Sequence, residues 1–285
     1  MRIRLAVAAL IAGLAVPGIA QAQCEIRIES PGQVRYQGAS GAGYESFQTS
    51  RFEEPFTVVI TNDAGETCDG LLSVQHSDRI NGLIGTPPNF LRYAITRPGS
   101  LSTIVDWEGL IGRPPHAIPV TIPAGGRQVQ NLAFQIPTQQ IVPAGVYTQT
   151  VLVRLIDAND LSVVSERSIE LVSGVPSAMS ILLFDGGIPA TVTTPGGTRQ
   201  RTLDFGTLQD GEQAGLTVLV QSNEAYEVRF SSAHSGALEH VTRGPSDKVP
   251  YTATFGGHEL NLASGETVIN ESAPTGRTVM TSSSS

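Results

Sequence analysis

Apolar and polar residues alternate along the chain in short runs that are separated by Gly, Pro, Asn and Asp. The clearest runs are residues 56–61, 147–156, 216–220 and 226–230, where β-branched and aromatic side chains are frequent. Such alternation places one face of a β-strand against a core and the other in solvent. No run beyond the N-terminus has the three-to-four-residue spacing of an amphipathic helix. The pattern therefore predicts an all-β protein, built as a β-sandwich or barrel.

A change of pattern near the middle of the chain predicts two domains, which also suits a length of 285 residues. Ser173-Gly174-Val175-Pro176 follows a completed strand, and a new apolar strand is expected over 179–184. We expect an N-terminal β-sandwich over 23–172 and a C-terminal domain over 173–285. The Gly- and Pro-rich segment 185–197 is expected to be a hairpin connection, because no strand–loop–helix unit follows it to form a phosphate site.

The N-terminal segment predicts export. A basic start, Met1-Arg2-Ile3-Arg4, precedes an apolar stretch over 5–20 and the small-x-small site Ala20-Gln21-Ala22. This order is typical of a secretory signal peptide, here 1–22. The alternative, a membrane anchor, is disfavoured because Gly13, Pro17 and Gly18 interrupt a stretch that falls short of the ~20 apolar residues of a span.

Charge and cysteine content narrow the function further. Removal of the signal takes away Arg2 and Arg4, which leaves 16 basic against 26 acidic residues and a formal charge of −10. A nucleic-acid partner is therefore not expected. Cys24 and Cys68 are the two cysteines, and in an oxidising compartment we expect them to form a structural disulfide.

Motifs of catalysis are missing from the sequence. The five histidines show no metal-binding spacing, and there is no G-x-S-x-G nucleophile motif. An acid pair cannot be placed across a cleft from sequence, so glycosidase chemistry is neither supported nor excluded. We expect no enzymatic activity, no metal and no cofactor.

Four segments carry a family resemblance, three in the second half of the chain and one in the first. In the second half, Leu203-Asp204-Phe205-Gly206-Thr207-Leu208, Tyr226-Glu227-Val228 and Val249-Pro250-Tyr251-Thr252-Ala253-Thr254 occur in order. In the first half, Pro143-Ala144-Gly145-Val146-Tyr147 is similar to a closing "aGtYsD" strand, with Gln149 in place of the usual acid. Together they resemble the spore coat protein U family, the pilins of archaic (Csu-type) chaperone–usher pili. The resemblance covers most of the second domain and the edges of the first, and its motifs are structural.

The resemblance implies an immunoglobulin-like C-terminal domain that lacks one strand. A periplasmic chaperone would fill the gap, and an adjacent pilin subunit would replace it by β-strand addition at an outer-membrane usher. Predicted cleavage after Ala22 leaves only Gln23 before Cys24, so we expect no donor strand and a position at the pilus tip on the cell surface. The alternative is that the donor lies elsewhere or that cleavage is earlier.

As a tip adhesin, the protein would use its first domain to attach to an abiotic surface or a host receptor and so promote biofilm formation. Heads of Csu-type tips resemble one another in presenting apolar loops, and Gly-flanked apolar pairs are candidates here. The predicted surface-binding residues are Leu83, Ile84, Phe90, Trp107, Leu110 and Ile111. The alternative for each residue is a place in the core. The alternative function is a secreted carbohydrate-binding β-sandwich in which Trp107 and Tyr93 stack on sugars.

The end of the sequence departs from the family. A closing strand is expected there, but residues 282–285 are four serines, so we expect the last strand to be absent. A shifted reading frame over the last codons would permit a family-like ending, which suggests a frameshift. A natural Ser-rich tail is the alternative.

Overall fold

The computed structural model describes residues 24–76, 82–86, 88–107, 112–184, 203, 211, 213–240, 242–271 and 278–284. All regular elements in these ranges are β-strands, which confirms the predicted all-β class. The predicted signal peptide, residues 185–197 and most of the Leu203–Leu208 motif lie outside the described residues. Within the described part, no helix is long and apolar enough to cross a membrane.

Twelve strands form the first unit (β1–β12). Their bounds are β1 Ile26–Glu29, β2 Gln33–Tyr36, β3 Glu53–Asn62, β4 Cys68–His76, β5 Gly82–Ile84, β6 Phe90–Arg92, β7 Ala94–Thr96, β8 Val105–Trp107, β9 Ile118–Ile122, β10 Arg127–Gln135, β11 Gly145–Asp157 and β12 Val163–Val175. The first sheet has the order β1-β3-β10-β7. The second has the order β2-β12-β11-β4-β8, with β5, β6 and β9 added at its margin.

The chain changes sheet at its first turn. β1 pairs antiparallel with β3 from Ile26↔Asn62 to Glu29↔Val59, and β2 then pairs parallel with β12 from Gln33↔Glu170 to Tyr36↔Ser173. Pro31 and Gly32 lie at the crossing, where Pro ends a strand and Gly permits the bend. Together with the order β1-β3-β10-β7, this arrangement is that of an immunoglobulin-like sandwich.

One continuous core fills the space between the two sheets of the first unit. Residues of β3 and β11 alternate between core and solvent, whereas β10 is buried throughout its last four residues. Phe134 is fully buried, and its ring forms T-shaped pairs with Tyr36 and Tyr93 at centroid distances of 5.7 and 5.8 Å. Such T-shaped pairs add to the free energy gained by burial.

Nine strands form the second unit (β13–β21). Their bounds are β13 Met179–Phe184, β14 Ala214–Ser222, β15 Tyr226–Phe230, β16 Ala237–His240, β17 Gly244–Pro250, β18 Ala253–Phe255, β19 His258–Leu260, β20 Thr267–Glu271 and β21 Thr278–Ser284. They form a five-stranded sheet, β13-β14-β21-β18-β19, and two separate two-stranded sheets, β15-β20 and β16-β17.

Two expectations about this half need correction. The expected single strand over 249–254 is divided between β17 and β18, which are separated by Tyr251 and Thr252. The expected absence of the last strand is wrong, because β21 lies between β14 and β18 in the sheet. Strand pairing is made by backbone groups, so serine side chains do not prevent it.

Candidate functional site

The predicted disulfide is present. Cys24 and Cys68 are bonded, with their Cα atoms 5.8 Å apart and 44 positions apart in sequence. The bond ties the start of the first unit to β4. Beside it, the buried side chain of Asn62 organises the turn: Nδ2 donates to the carbonyl oxygens of Glu66, Ile122 and Pro123, and Oδ1 accepts from the amide of Ala64.

The first predicted apolar loop is a β-hairpin, formed by β5 and β6. Leu83 is 0% exposed and belongs to the main core cluster, which corrects the expectation that it projects into solvent. Ile84 and Phe90 face each other across the hairpin and are 41% and 40% exposed. Alternation along β5 explains this division, because neighbouring residues of a strand face opposite sides.

The glycines of this hairpin have a packing role. A Cβ atom on Gly85 would lie 2.5 Å from the ring of Tyr147, and one on Gly82 would lie 3.0 Å from the ring of Phe90. Neither residue is among those with positive φ. The glycines that suggested a projecting loop therefore allow two aromatic rings to approach the backbone closely.

The second predicted apolar loop is described only in part. The backbone of Trp107 ends β8, which runs parallel to β4 with Trp107 opposite His76. Leu110 and Ile111 lie outside the described residues, as does the side chain of Trp107. Asp106 of β8 has a buried carboxylate that accepts hydrogen bonds from Nδ1 of His116 at 2.6 Å and from the His116 amide at 3.2 Å. These bonds tie β8 to His116.

Strand register locates these residues along the first unit. We call the end at which Val175 leads into the second unit the junction end, and the end with the β11–β12 turn at 158–162 the far end. Ile84 pairs with Thr148, which also pairs with Val172, close to the junction end. The hairpin of Ile84 and Phe90 therefore lies near the second unit rather than at the far end.

The far end carries two exposed apolar residues that are not among the predicted surface-binding residues. Leu161 and Val163 are 38% and 52% exposed there, and Leu161 has a left-handed backbone with φ 61°. Asp157 and Asp160 fix the turn by accepting from the amides of Asn159 and Ser162. The backbone hydrogen bond from Ser162 lowers the pKa of Asp160 below its usual value. In the sequence, the turn residues Asp157-Ala158-Asn159-Asp160 could have indicated this exposed end, because such residues are typical of a tight hairpin.

Tyr93, which was a candidate for stacking on sugars, is 2% exposed and packs edge-on against Phe134. It is a core residue and has no free ring face for a ligand. Among the described residues, no group of His, Cys, Asp and Glu side chains could hold a metal ion.

In the second unit, β13 pairs only with β14 among the described strands, and we call its other side the open edge. The amide of Asn223 donates to the carbonyl of Ala178, so the backbone groups of residues 178, 180 and 182 point to β14. Those of Met179 and Ile181 consequently point away from it. Both side chains are half exposed, at 51% and 50%.

Comparison with known proteins finds no family model that matches the chain and no curated protein that matches its sequence. Among solved structures, the chain is similar to one from the complex of chaperone CsuC and tip adhesion subunit CsuE of the archaic chaperone–usher Csu pili of Acinetobacter baumannii, with 11% identity, a TM-score of 0.37, and 90% of this chain and 93% of that chain covered.

Two further solved structures are similar to this chain. They are the CupB6 tip adhesin of Pseudomonas aeruginosa (8% identity, TM-score 0.38, 92% of this chain and 88% of that one) and the CooA pilin subunit of enterotoxigenic Escherichia coli (13%, 0.33, 53% and 99%). Because no family model matches, membership of the spore coat protein U family stays a prediction.

Proposed function

We propose that the chain is a secreted subunit of a chaperone–usher pilus and acts as its two-domain tip adhesin. The first domain, predicted over residues 23–172 and ending with β12 at Val175, is the head that attaches to a surface. The second, predicted over 173–285 and beginning with β13 at Met179, is a pilin domain that joins the fibre by accepting a strand from another chain. The sequence motifs that resemble spore coat protein U pilins support this proposal, and the open edge of β13 is the structural observation that carries it.

An open edge of this kind is a docking site for a strand. Met179 and Ile181 offer backbone donors and acceptors toward the side that β14 does not occupy, and their apolar side chains are half exposed. Exposed, apolar strand edges pair readily with other chains, and natural proteins usually blunt them with charges, Pro or a covering segment. Met179, Ser180 and Ile181 bear no charge. The edge therefore favours β-strand addition as the mode of partner binding.

The partners follow from this mode. In the periplasm a chaperone strand would cover the edge, and at the outer-membrane usher the strand of an adjacent pilin subunit would replace it. The finished subunit would lie at the cell surface, on the pilus. Its head would attach to an abiotic surface or a host receptor and promote biofilm formation.

The tip position is part of the proposal. Residues from Cys24 onward are used inside the first unit: Cys24 is bonded to Cys68, and β1 pairs with β3. They cannot at the same time donate a strand to another subunit. A subunit whose first strand serves its own fold receives a strand and gives none from that segment, which suits the end of a fibre.

A proline at the open edge tests the mode of binding. Ile181→Pro removes an amide that points away from β14, so the β13–β14 pairing should survive while strand addition fails. Ile181→Thr keeps the amide and the β-branched shape and is the matched control. The full mature chain would be co-expressed with its cognate periplasmic pilus chaperone, and the complex would be isolated by size exclusion. We expect the Pro variant to lose the complex and the Thr variant to retain it.

Solubility without a chaperone is the second readout. Expressed alone in the periplasm, the chain should give little soluble monomer, and protease should remove the second unit before the first. Equal soluble yields of a cooperatively folding monomer with and without the chaperone would contradict the proposal. A complex that forms equally well with Ile181→Pro would contradict the use of this edge.

A further inference from the structure

The segment between the two units is short and is held on both sides. β12 ends at Val175 and β13 begins at Met179, so only residues 176–178 connect them. Short linkers between domains commonly act as hinges when few contacts cross them. Here two groups of contacts meet the linker, one from a loop of the first unit and one from a turn of the second.

The first group comes from residues 37–48, a segment that contains Gly38, Gly41 and Gly43 and that we call the glycine loop. The amide of Tyr44 donates to the carbonyl of Gly174 at 2.8 Å. Gly43 has φ 105°, and a Cβ atom on it would lie 2.2 Å from the oxygen of Gly174. Gly43 is therefore required for the loop to approach the end of β12 this closely.

Tyr44 fixes the glycine loop to the body of the first unit. Its side chain is 0% exposed, and its hydroxyl accepts a hydrogen bond from the amide of Gln140 at 2.7 Å. The loop is also closed on itself, because the amide of Gly43 donates to the carbonyl of Gln37. The contact with Gly174 thus comes from a rigidly anchored segment.

The second group comes from Asn223, which follows β14 and is 0% exposed. Its Nδ2 donates to the carbonyl of Pro176 at 2.8 Å, and its Oδ1 accepts from the amide of Ala178 at 2.8 Å. Its own amide donates to the carbonyl of Ala178 at 3.2 Å. One side chain therefore satisfies backbone groups on both sides of Ser177, much as a neighbouring strand would.

Asn223 also reaches the first unit. Its Nδ2 lies 3.4 Å from the hydroxyl oxygen of Ser46, which is 1% exposed and belongs to the glycine loop. A buried amide leaves unpaired polar groups if any of these partners moves away, and each such loss is costly. The linker, the glycine loop and the turn after β14 are thus joined through one side chain.

We propose that the glycine loop and Asn223 form an interdomain clamp that holds residues 174–178 extended, so that the two units move as one rigid body. Asn223 is the positioning residue of the clamp, and Gly43 is the residue that lets the first unit close on it. The proposal concerns how the units are joined and is independent of what either unit binds.

The test is the spread of distances between the two units. Spin labels would be attached at Thr150→Cys in β11 and Glu259→Cys in β19, both exposed positions in a chain whose own cysteines are disulfide-bonded. Pulsed electron resonance on the full mature chain then gives the distance distribution. We expect a narrow distribution that becomes at least about twofold broader in Asn223→Ala, because domains without firm contacts move independently.

Three variants make the result specific. Gly43→Ala, which forces the glycine loop off Gly174, should broaden the distribution as well. Ser46→Ala removes only the contact between Asn223 and the first unit and should broaden it less. Asn131→Ala changes an exposed asparagine on β10 and should leave it unchanged.

Each outcome decides the question. A wild-type width in Asn223→Ala, or equal broadening in Asn131→Ala, would overturn the clamp. If Asn223→Ala does not fold, Gly43→Ala and Ser46→Ala decide, and a wild-type width in both would overturn it.

Discussion

The two units of this chain are both built from alternating strands, but they enclose very different cores. In the first unit, two sheets face each other, and the core cluster draws on residues from both. In the second unit, the described cluster has three buried members, Phe255, Leu260 and Leu262, while Val218, Val228 and Ile269 pack against it only partly buried. Alternation creates strands in both halves. A closed core requires in addition that two sheets cover each other, and the described strands of the second unit pair in one larger sheet and two separate two-stranded sheets.

A core truncation in each unit tests this comparison with the largest expected effect. Phe134→Ala should cost the first unit about 3–5 kcal/mol of unfolding free energy, since a fully buried ring leaves a cavity. Phe230→Ala removes a partly buried ring whose centroid lies 4.6 Å from that of Phe255, and it should cost the second unit about half of that free energy or less. Urea unfolding can separate them, because Trp107 is the only tryptophan and lies in the first unit, while circular dichroism follows both. Equal losses of unfolding free energy in the two units would contradict the distinction between a closed and an open core.

Removing the disulfide tests whether the first unit is stabilised separately. Cys24→Ser combined with Cys68→Ser should lower its unfolding free energy by about 4 kcal/mol on the chain-entropy estimate for a separation of 44 positions. The urea midpoint of the first unit, followed by Trp107 fluorescence, should fall. The midpoint of the second unit, followed by circular dichroism, should not change. A common shift of both would mean that the units unfold as one.

Alkaline pH should destabilise the first unit through its buried tyrosines. Burial raises the pKa of Tyr44 to about 12 and also raises the pKa of Tyr36 and Tyr147. An unfolded tyrosine loses its proton near pH 10, whereas folded Tyr44 keeps it. The stabilisation is therefore complete below pH 10 and is lost as pH rises toward 12, at up to about 1.4 kcal/mol per pH unit for each group. In Tyr44→Phe the slope of unfolding free energy against pH should be shallower; an unchanged slope would contradict the assignment.

The smallest effects on stability are expected at exposed apolar pairs of the closed first unit. Leu161→Ser with Val163→Ser at the far end, and Ile84→Ser with Phe90→Ser near the junction end, should each change stability by about 0.5 kcal/mol per residue or less. Leu83→Ser is the buried counterpart and should unfold the unit. If the chain acts as the proposed pilus subunit, attachment to polystyrene of bacteria that display it then shows which pair contacts the surface. Loss with the far-end pair alone would place the contact there, and no loss with either would exclude both.

Prediction from sequence succeeded where local alternation decides the outcome. The expected strand 226–230 coincides with β15, and 56–61 lies within β3. It failed for Leu83, because the same Gly-flanked apolar pair is compatible with a projecting loop and with a hairpin packed against Tyr147. It failed for the tail, because side-chain polarity was used to judge a strand whose pairing depends on backbone groups.

By itself, the sequence determined that this protein is made of strands, where several of the longer ones lie, and that Cys24 and Cys68 are the available disulfide partners. These properties depend on the period of the side chains and on residue type, both of which are local. Only the tertiary structure decided which end of the first unit carries Ile84 and Phe90, which edge of β13 has no neighbour among the described strands, and that Asn223 bonds the linker. Each of these depends on contacts between segments that are far apart in sequence, and the alternation within one strand does not specify which other strand it pairs with.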